Sequence, residues 1–322
     1  MKNIYSFILL SLLAFVSCNK ISDETPGVRE DGKGGRYVTQ SFVIGDPFTR
    51  STSSFTDEAK INDATIFVYQ KNMSTGVMID YDRKYVKTNT VSFDLYFSDQ
   101  TEYQYSFAVW VNMGDLADEP TDGAVKFANE VKNDIQMRGT LNNLTEDNVG
   151  TISIPVVRYV GKVNIQEIKL NWKNAQNSLK TFKLLEVYVA NAATDDSANP
   201  SVGYNSNGVR SASTMDGFIY DNMGSTTLTN TGTYTTDHIF YAYDHPSTEF
   251  VIKASLDGQV MYYHYPIEPA DNTYKAYNVE IKQAGSTTPL GELPEESIVV
   301  STITLSVQGW NNLGSKDVIF QK

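Results

Sequence analysis

Cys18 is the only cysteine in this chain of 322 residues, and it stands directly after Ser17 at the end of an apolar run over residues 4–16. A thiol behind a small residue is what a lipoprotein signal peptidase needs. A diacylglycerol thioether forms on the sulfur, cleavage frees the cysteine amine, and a further acyl chain, such as palmitate, can join it. Lys2 supplies a positive start, and roughly a dozen apolar residues are too few for the ~20 that cross a bilayer. The expectation is a signal peptide over residues 1–17 and a mature chain beginning at lipidated Cys18, with two or more acyl chains making the anchor stable. Phe15 occupies a place where leucine is usual. The alternative is an ordinary secretory signal with an incidental cysteine.

Other chemistry finds little support. The three histidines, His238, His245 and His264, are neither in an HExxH pattern nor at a spacing of two to four residues, so no metal site is expected from them. No G-x-S-x-G nucleophile elbow is present. The run Gly32-Lys33-Gly34-Gly35 follows no predicted strand, so it does not read as a phosphate loop. Asp115, Asp118 and Asp122 miss the EF-hand spacing and read as a solvated acidic loop. No catalytic residue, cofactor or metal is expected, and the chain is read as a non-enzyme. A net charge of -12 argues against nucleic acid, whose phosphates demand a basic footprint. With Cys18 consumed by lipid, no disulfide can hold the fold, and stability must come from a core drawn from the 41% hydrophobic residues.

The elements that must carry any function are strands. Residues 18–36 are rich in glycine and charge and read as a flexible tether. From residue 37 the period is two, with Val38, Phe42 and Ile44 on one face of a first strand over 37–44. Further alternating segments fall at 66–69, 91–97, 105–111 and 152–156, then from 160 onward, with a last strand over 298–307 carrying Val299, Ile303, Leu305 and Val307 on one face. Residues 123–138 show three- and four-residue apolar spacing and are expected to be a helix. Residues 191–236 are polar and read as long loops, and 285–296 as a Pro/Gly/acidic linker. The fold class expected is all-β with a minor helix: two β-sandwich domains in tandem, of transthyretin-like or Greek-key type, over 37–157 and 158–322.

Read in order, these segments resemble the major fimbrillins, the subunits of type V pili in the Bacteroidia. The resemblance runs nearly the full length. It is carried by the lipid-modified start and by a β-segment over 37–50 that ends in Arg50; separately, Asp23-Glu24 resembles the export signals of surface lipoproteins in the Bacteroidetes. It is carried also by Ile66-Phe67-Val68-Tyr69, by Phe107-Ala108-Val109-Trp110-Val111-Asn112 and by Ile154-Pro155-Val156-Val157-Arg158-Tyr159-Val160-Gly161-Lys162-Val163. The segment from Ile303 to Trp310, similar to the family's penultimate strand with its Trp, completes it. The resemblance implies a pilus stalk subunit that reaches the cell outer membrane as a lipoprotein. An Arg-specific protease then cuts in the loop after the first strand. Arg50 matches that position, giving Ser51 as the new start and removing residues 37–50 as a propeptide. The subunit would enter a homopolymer, the cell-surface fimbrium, by donor-strand exchange, with a role in adhesion. Residues 297–322 would supply the donor. Rival readings are an anchor or tip subunit, or a surface lipoprotein binding glycans or proteins through exposed tyrosines.

A physical argument supports a cut as the gate. A covalently attached strand competes for its groove at an effective concentration of order millimolar, so a dilute neighbour offering similar contacts loses. Cutting after Arg50 would turn the resident strand into a dissociable peptide and detach the lipid as well.

Overall fold

Alternation of apolar and polar residues is converted into strands almost everywhere it occurs. The computed structural model describes residues 28–30, 32, 34–45, 60–121, 134–148, 152–210, 219–243, 245–271 and 273–306. Among these, no helix is long and apolar enough to cross a membrane. Cys18, Arg50, Ser51, Val307 and Trp310 lie outside the described residues.

Among the described residues the first sandwich has nine strands: β1 (Val28–Glu30), β2 (Gly35–Ile44), β3 (Ala64–Asn72), β4 (Met78–Val86), β5 (Thr90–Ser98), β6 (Tyr103–Val111), β7 (Met137–Leu144), β8 (Ile152–Ile154) and β9 (Val156–Arg158). One sheet has the order β1-β2-β5, with β8 also pairing β2; the other runs β4-β3-β6-β7-β9. Their facing sides share one core. Val38, Phe42, Phe93 and Leu95 come from the first sheet, and Ile66, Val68, Phe107 and Val109 from the second.

The second sandwich follows after two residues: β10 (Gly161–Leu170), β11 (Phe182–Ala190), β12 (Ala192–Ala193), β13 (Val202–Tyr204), β14 (Tyr220–Leu228), β15 (Thr233–Ala242), β16 (Glu249–Leu256), β17 (Gln259–Pro266), β18 (Thr273–Ile281) and β19 (Ile298–Ser306). Its main sheets are β15-β10-β18-β19 and β14-β11-β16-β17, and β12 and β13 form a small hairpin. The all-β, two-sandwich architecture is the one the alternation implies.

The two units meet through the outer face of the second sheet, where Phe67, Ala108 and Trp110 join the second core. Trp110 stacks on Tyr159 with ring centroids 5.9 Å apart and 18° between planes, and the Arg138 guanidinium lies 4.8 Å from the Tyr159 ring centre. Gly139 is required here. A Cβ at that position would sit 2.3 Å from the Pro155 carbonyl oxygen, so any side chain would prise β7 from β9.

Several expectations are corrected. Residues 123–133 of the expected helix lie outside the described residues; at its end, Met137 and Arg138 belong to β7, paired with Val111 and Trp110. Pairing of β7 with β6 and β9 holds those two residues in a strand. Residues 28–30, placed in the tether, form β1 against Arg36–Val38. The polar stretch 191–236 contains β12, β13, β14 and the start of β15. Its β14 is an edge strand interrupted at Gly224 (φ 59°) and Ser225 (φ 61°), where its register against β11 shifts. A one-sided edge strand with a bulge carries little apolar alternation to read. The division placed after residue 157 falls inside β9, which pairs with β7 of the first sandwich.

Candidate functional site

β2 supplies an inward row that is apolar except at one place. Val38 is 4% exposed, Gln40 0%, Phe42 0% and Ile44 1%. The Phe42 ring sits 4.5 Å from that of Phe107 and 6.0 Å from that of Phe93, so it plugs the space between the sheets. Phe93, Leu95, Phe107 and Val109 belong to the same core cluster as these β2 residues. Burial of Val38, Phe42 and Ile44 contributes about 5–9 kcal/mol at ~1.5–3 per side chain, an upper figure because unfolded chains are partly collapsed.

On one edge β2 pairs antiparallel with β5 over nine registered residues, Gly35↔Ser98 to Val43↔Thr90. On the other edge β1 covers its start and β8 its end, where Phe42, Val43 and Ile44 pair in parallel with Ile152, Ser153 and Ile154. Cross-strand side chains add Thr39 Oγ1 donating to Asp94 Oδ1 at 2.6 Å and Ser41 Oγ beside Ser92 Oγ at 2.9 Å.

The opposite edge of β5 is closed by side chains from the other sheet. Lys84 Nζ donates to the Ser92 carbonyl at 2.5 Å, and the Tyr81 hydroxyl to the Asp94 carbonyl at 2.8 Å. The Tyr105 hydroxyl donates to the Tyr96 carbonyl at 2.6 Å. It also accepts the Tyr96 N–H at 2.9 Å and an Nε2 hydrogen of Gln70 at 2.6 Å. Tyr81 reaches this edge because β4 carries one extra residue: Val68 pairs with Asp82 but Tyr69 with Asp80, leaving Tyr81 turned inward. Burial pushes the Tyr105 phenol far above its ordinary pKa, so it stays neutral and donating. With this edge met by side chains, β5 pairs with a strand, among the described residues, only on the side of β2.

Sequence reasoning missed Tyr81, Lys84 and Tyr105 in this role. An isolated tyrosine or lysine in a strand carries no signal of reaching the opposite sheet; only β4 itself, an edge strand without alternation, could have hinted at it.

Around the expected processing site the neighbouring arginines are engaged. Arg29 lies 4.8 Å over the Tyr37 ring, and Arg36 pairs with Glu146. Arg50 and Ser51 fall in the stretch 46–59, bounded by Gly45 and Lys60. The far boundary is clamped by Asn112, in the left-handed region at φ 60°. Its side chain accepts the Asn62 N–H at 2.9 Å and donates to the Lys60 carbonyl at 3.0 Å and the Ile135 carbonyl at 2.9 Å.

At the chain's other end, β19 is the edge strand of its sheet, paired antiparallel with β18 over nine registered residues. Ile303 and Leu305 pair with Ala276 and Tyr274, and Val299 with Glu280. Ile298 and Val300 pack against the second core, while Val299 is 44% exposed. The connection before β19 is a strap over the outer face of β11, β16 and β17. Ser286 and Tyr262 exchange backbone bonds of 2.8 and 3.0 Å, and Leu290 packs by Tyr188 and Tyr262. His264 is held between Glu249 Oε2 at 2.5 Å and the Gly291 carbonyl at 3.0 Å. The doubly protonated ring can donate to both neighbours, and the Glu249 bond raises its pKa. The strap ends at Ser297, 1% exposed, whose carbonyl accepts the Lys282 N–H at 2.8 Å.

Among the described residues, no group of three or more His, Cys, Asp or Glu side chains is placed to hold a metal ion. Asp115 pairs with Arg83, and His238 lies 2.7 Å from Asp221. In the aromatic cluster at 262–265, Tyr263 is fully buried.

Neither a protein-family model nor a curated relative matches the sequence. Solved structures do share the fold. A fimbrilin from Porphyromonas gingivalis superposes with TM-score 0.54 at 14% identity, over 83% of this chain and 96% of that one. A proposed cell adhesion protein from Bacteroides eggerthii gives 0.54 at 15% identity, over 83% and 95%. Another from Parabacteroides distasonis gives 0.51 at 14%, over 85% and 100%. The fold is thus one found in fimbrial and adhesion proteins of Bacteroidales.

Proposed function

We propose that this chain is a structural subunit of a surface fimbrium, exported as a lipoprotein anchored through Cys18, cut after Arg50, and joined to its neighbours by strand exchange. The observation that carries this reading is the seat of β2. Its inward side chains are buried, and β5 pairs with a strand, among the described residues, only on the side β2 occupies. A groove so built has one natural occupant, an extended strand with inward apolar residues.

The donor is β19 with the residues after it. Val299, Ser301, Ile303 and Leu305 repeat the apolar–polar–apolar–apolar order of Val38, Gln40, Phe42 and Ile44. Leaving β18 gives up a nine-residue ladder, and replacing β2 on a neighbour's β5 restores one of equal length. The ladder terms then nearly cancel, and the buried face decides the direction. A covalently held β2 blocks this exchange; a cut after Arg50 removes its advantage. Arg29 and Arg36, held by Tyr37 and Glu146, are poorer protease targets than an arginine in a connecting stretch.

The test is Arg50→Ala, alongside deletion of residues 297–322. Both are expected to abolish SDS-resistant polymer while leaving the protein folded, and Arg50→Ala is expected to leave the protein in the lipidated form. Undiminished polymer from the first variant would remove Arg50 from the mechanism; from the second, it would place the donor elsewhere.

A further inference from the structure

Exposed large hydrophobic side chains are rare among the described residues, and their placement is not scattered. Met73 (39% exposed), Val77 (56%), Met78 (58%) and Ile79 (50%) sit together on the β3–β4 hairpin. Leu179 (89%), Val260 (37%) and Val299 (44%) sit at one end of the second sandwich. Only Val209 falls outside these two places.

Each place is the end of its sandwich remote from the junction. Ala64 pairs with Val111, Val111 with Met137, and Met137 with Arg158, so β3 starts at the junction and runs away from it to Asn72. At ~3.3 Å per residue, the hairpin lies roughly 25 Å along the sheet from that start. In the second sandwich β10 starts at Gly161 and ends at Leu170, which pairs with Ile281, itself paired with Ile298. The loop carrying Leu179 and the turn before Val260 join this end through the reciprocal bonds of Thr181 and Asp257 at 2.7 and 2.9 Å.

The same two ends carry the exchange machinery. β2 begins at the hairpin end: Gly35 pairs with Ser98, which bridges to Thr101, and the Glu102 carbonyl accepts the Met73 N–H at 3.0 Å. β19 begins at the other end, its base fixed at buried Ser297. A strand leaving one copy from Ser297 and entering the next in the direction of β2 brings those two ends face to face.

We propose that the exposed hairpin at residues 73–79 of one copy seats on the Leu179 and Val260 end of the adjacent copy. This head-to-tail contact rests on the strand-exchange reading above and adds to it a second, non-covalent surface. The partner is a second copy because the apolar residues on the two ends are different sets, as a heterologous, non-closing contact requires. Placing them together removes both patches from water.

The test uses protein processed by an arginine-specific protease, which would release Cys18 and leave no native thiol. Met78→Cys and Leu179→Cys are introduced singly, mixed and together, and polymers are treated with a short bismaleimide. Cross-links between subunits are expected from the mixture and the double variant but from neither single variant. Val77→Asp with Met78→Asp is expected to slow polymer growth by about tenfold, equivalent to ~1.4 kcal/mol, with unchanged monomer melting. Normal polymer growth of the aspartate variant, or polymer without the cross-link, would overturn this contact and leave strand exchange standing. Wild-type protein that is cut but never polymerises would overturn strand exchange, and this contact with it.

Discussion

The hydroxyl of Tyr105 sits at the backbone of Tyr96 as if it were a missing strand, giving a hydrogen to the carbonyl at 2.6 Å and taking one from the N–H at 2.9 Å. A side chain of one sheet thus completes the edge of the other. β5 is bonded to the other sheet on one edge and to β2 on the other.

Tyr105→Phe removes those bonds and the one from Gln70 while keeping the ring. Buried polar groups left without partners cost about 1–3 kcal/mol, and urea unfolding is expected to report a loss in that range. An unchanged midpoint would show that the cap contributes nothing.

Phe42→Ala should act differently before and after processing. In the uncut protein the cavity between Phe93 and Phe107 is expected to cost about 3–5 kcal/mol, read as a lowered melting temperature. In cut protein the residue departs with β2, so polymer yield and stability should match wild type. Weaker polymers from the variant would mean that β2 is retained.

N-terminal sequencing of protein recovered from the cell surface is expected to return Ser51. A lipidated Cys18 start in assembled fibres would instead indicate an anchor subunit, with β2 still in its groove.

His264 gives a pH dependence of defined sign. Its folded-state pKa is raised above the ordinary 6.5 by Glu249, against the opposing effect of burial, with the Gly291 carbonyl adding to the rise. The stabilisation is therefore fully present below about pH 6.5 and lost as pH climbs through the raised folded value. Thermal melts across that interval should show a decline in wild type that is absent in His264→Asn. Equal slopes would assign the decline to other groups.

Gly139→Ala is expected to destabilise the joint of the two sandwiches, because its Cβ collides with the Pro155 backbone. Limited proteolysis should detect faster cleavage near residue 155; an unchanged pattern would show that β9 can shift to accommodate the methyl group.

Much of the fold was legible in period-two patterning. Val38, Phe42 and Ile44 could be assigned to one buried face because a strand turns alternate residues the same way. Segments that do not alternate were lost. β4 is an edge strand that reads Met-Ile-Asp-Tyr-Asp-Arg-Lys-Tyr-Val, and β14 hides in a polar stretch. Met137 and Arg138 suited a helix until β6 and β9 claimed them as β7. Of the candidate site, the sequence indicated an apolar face on β2 and another on β19.

By itself, then, the sequence determined an all-β chain with two sandwiches and alternating apolar residues in β2 and β19, because strand periodicity is a local property. Only the tertiary structure decided which edge of β5 is capped, that β19 rests on β18 from a fixed base at Ser297, and that the exposed apolar residues gather at two ends. Those relationships join residues far apart in the chain, and contacts between sheets leave no periodic trace in any one segment.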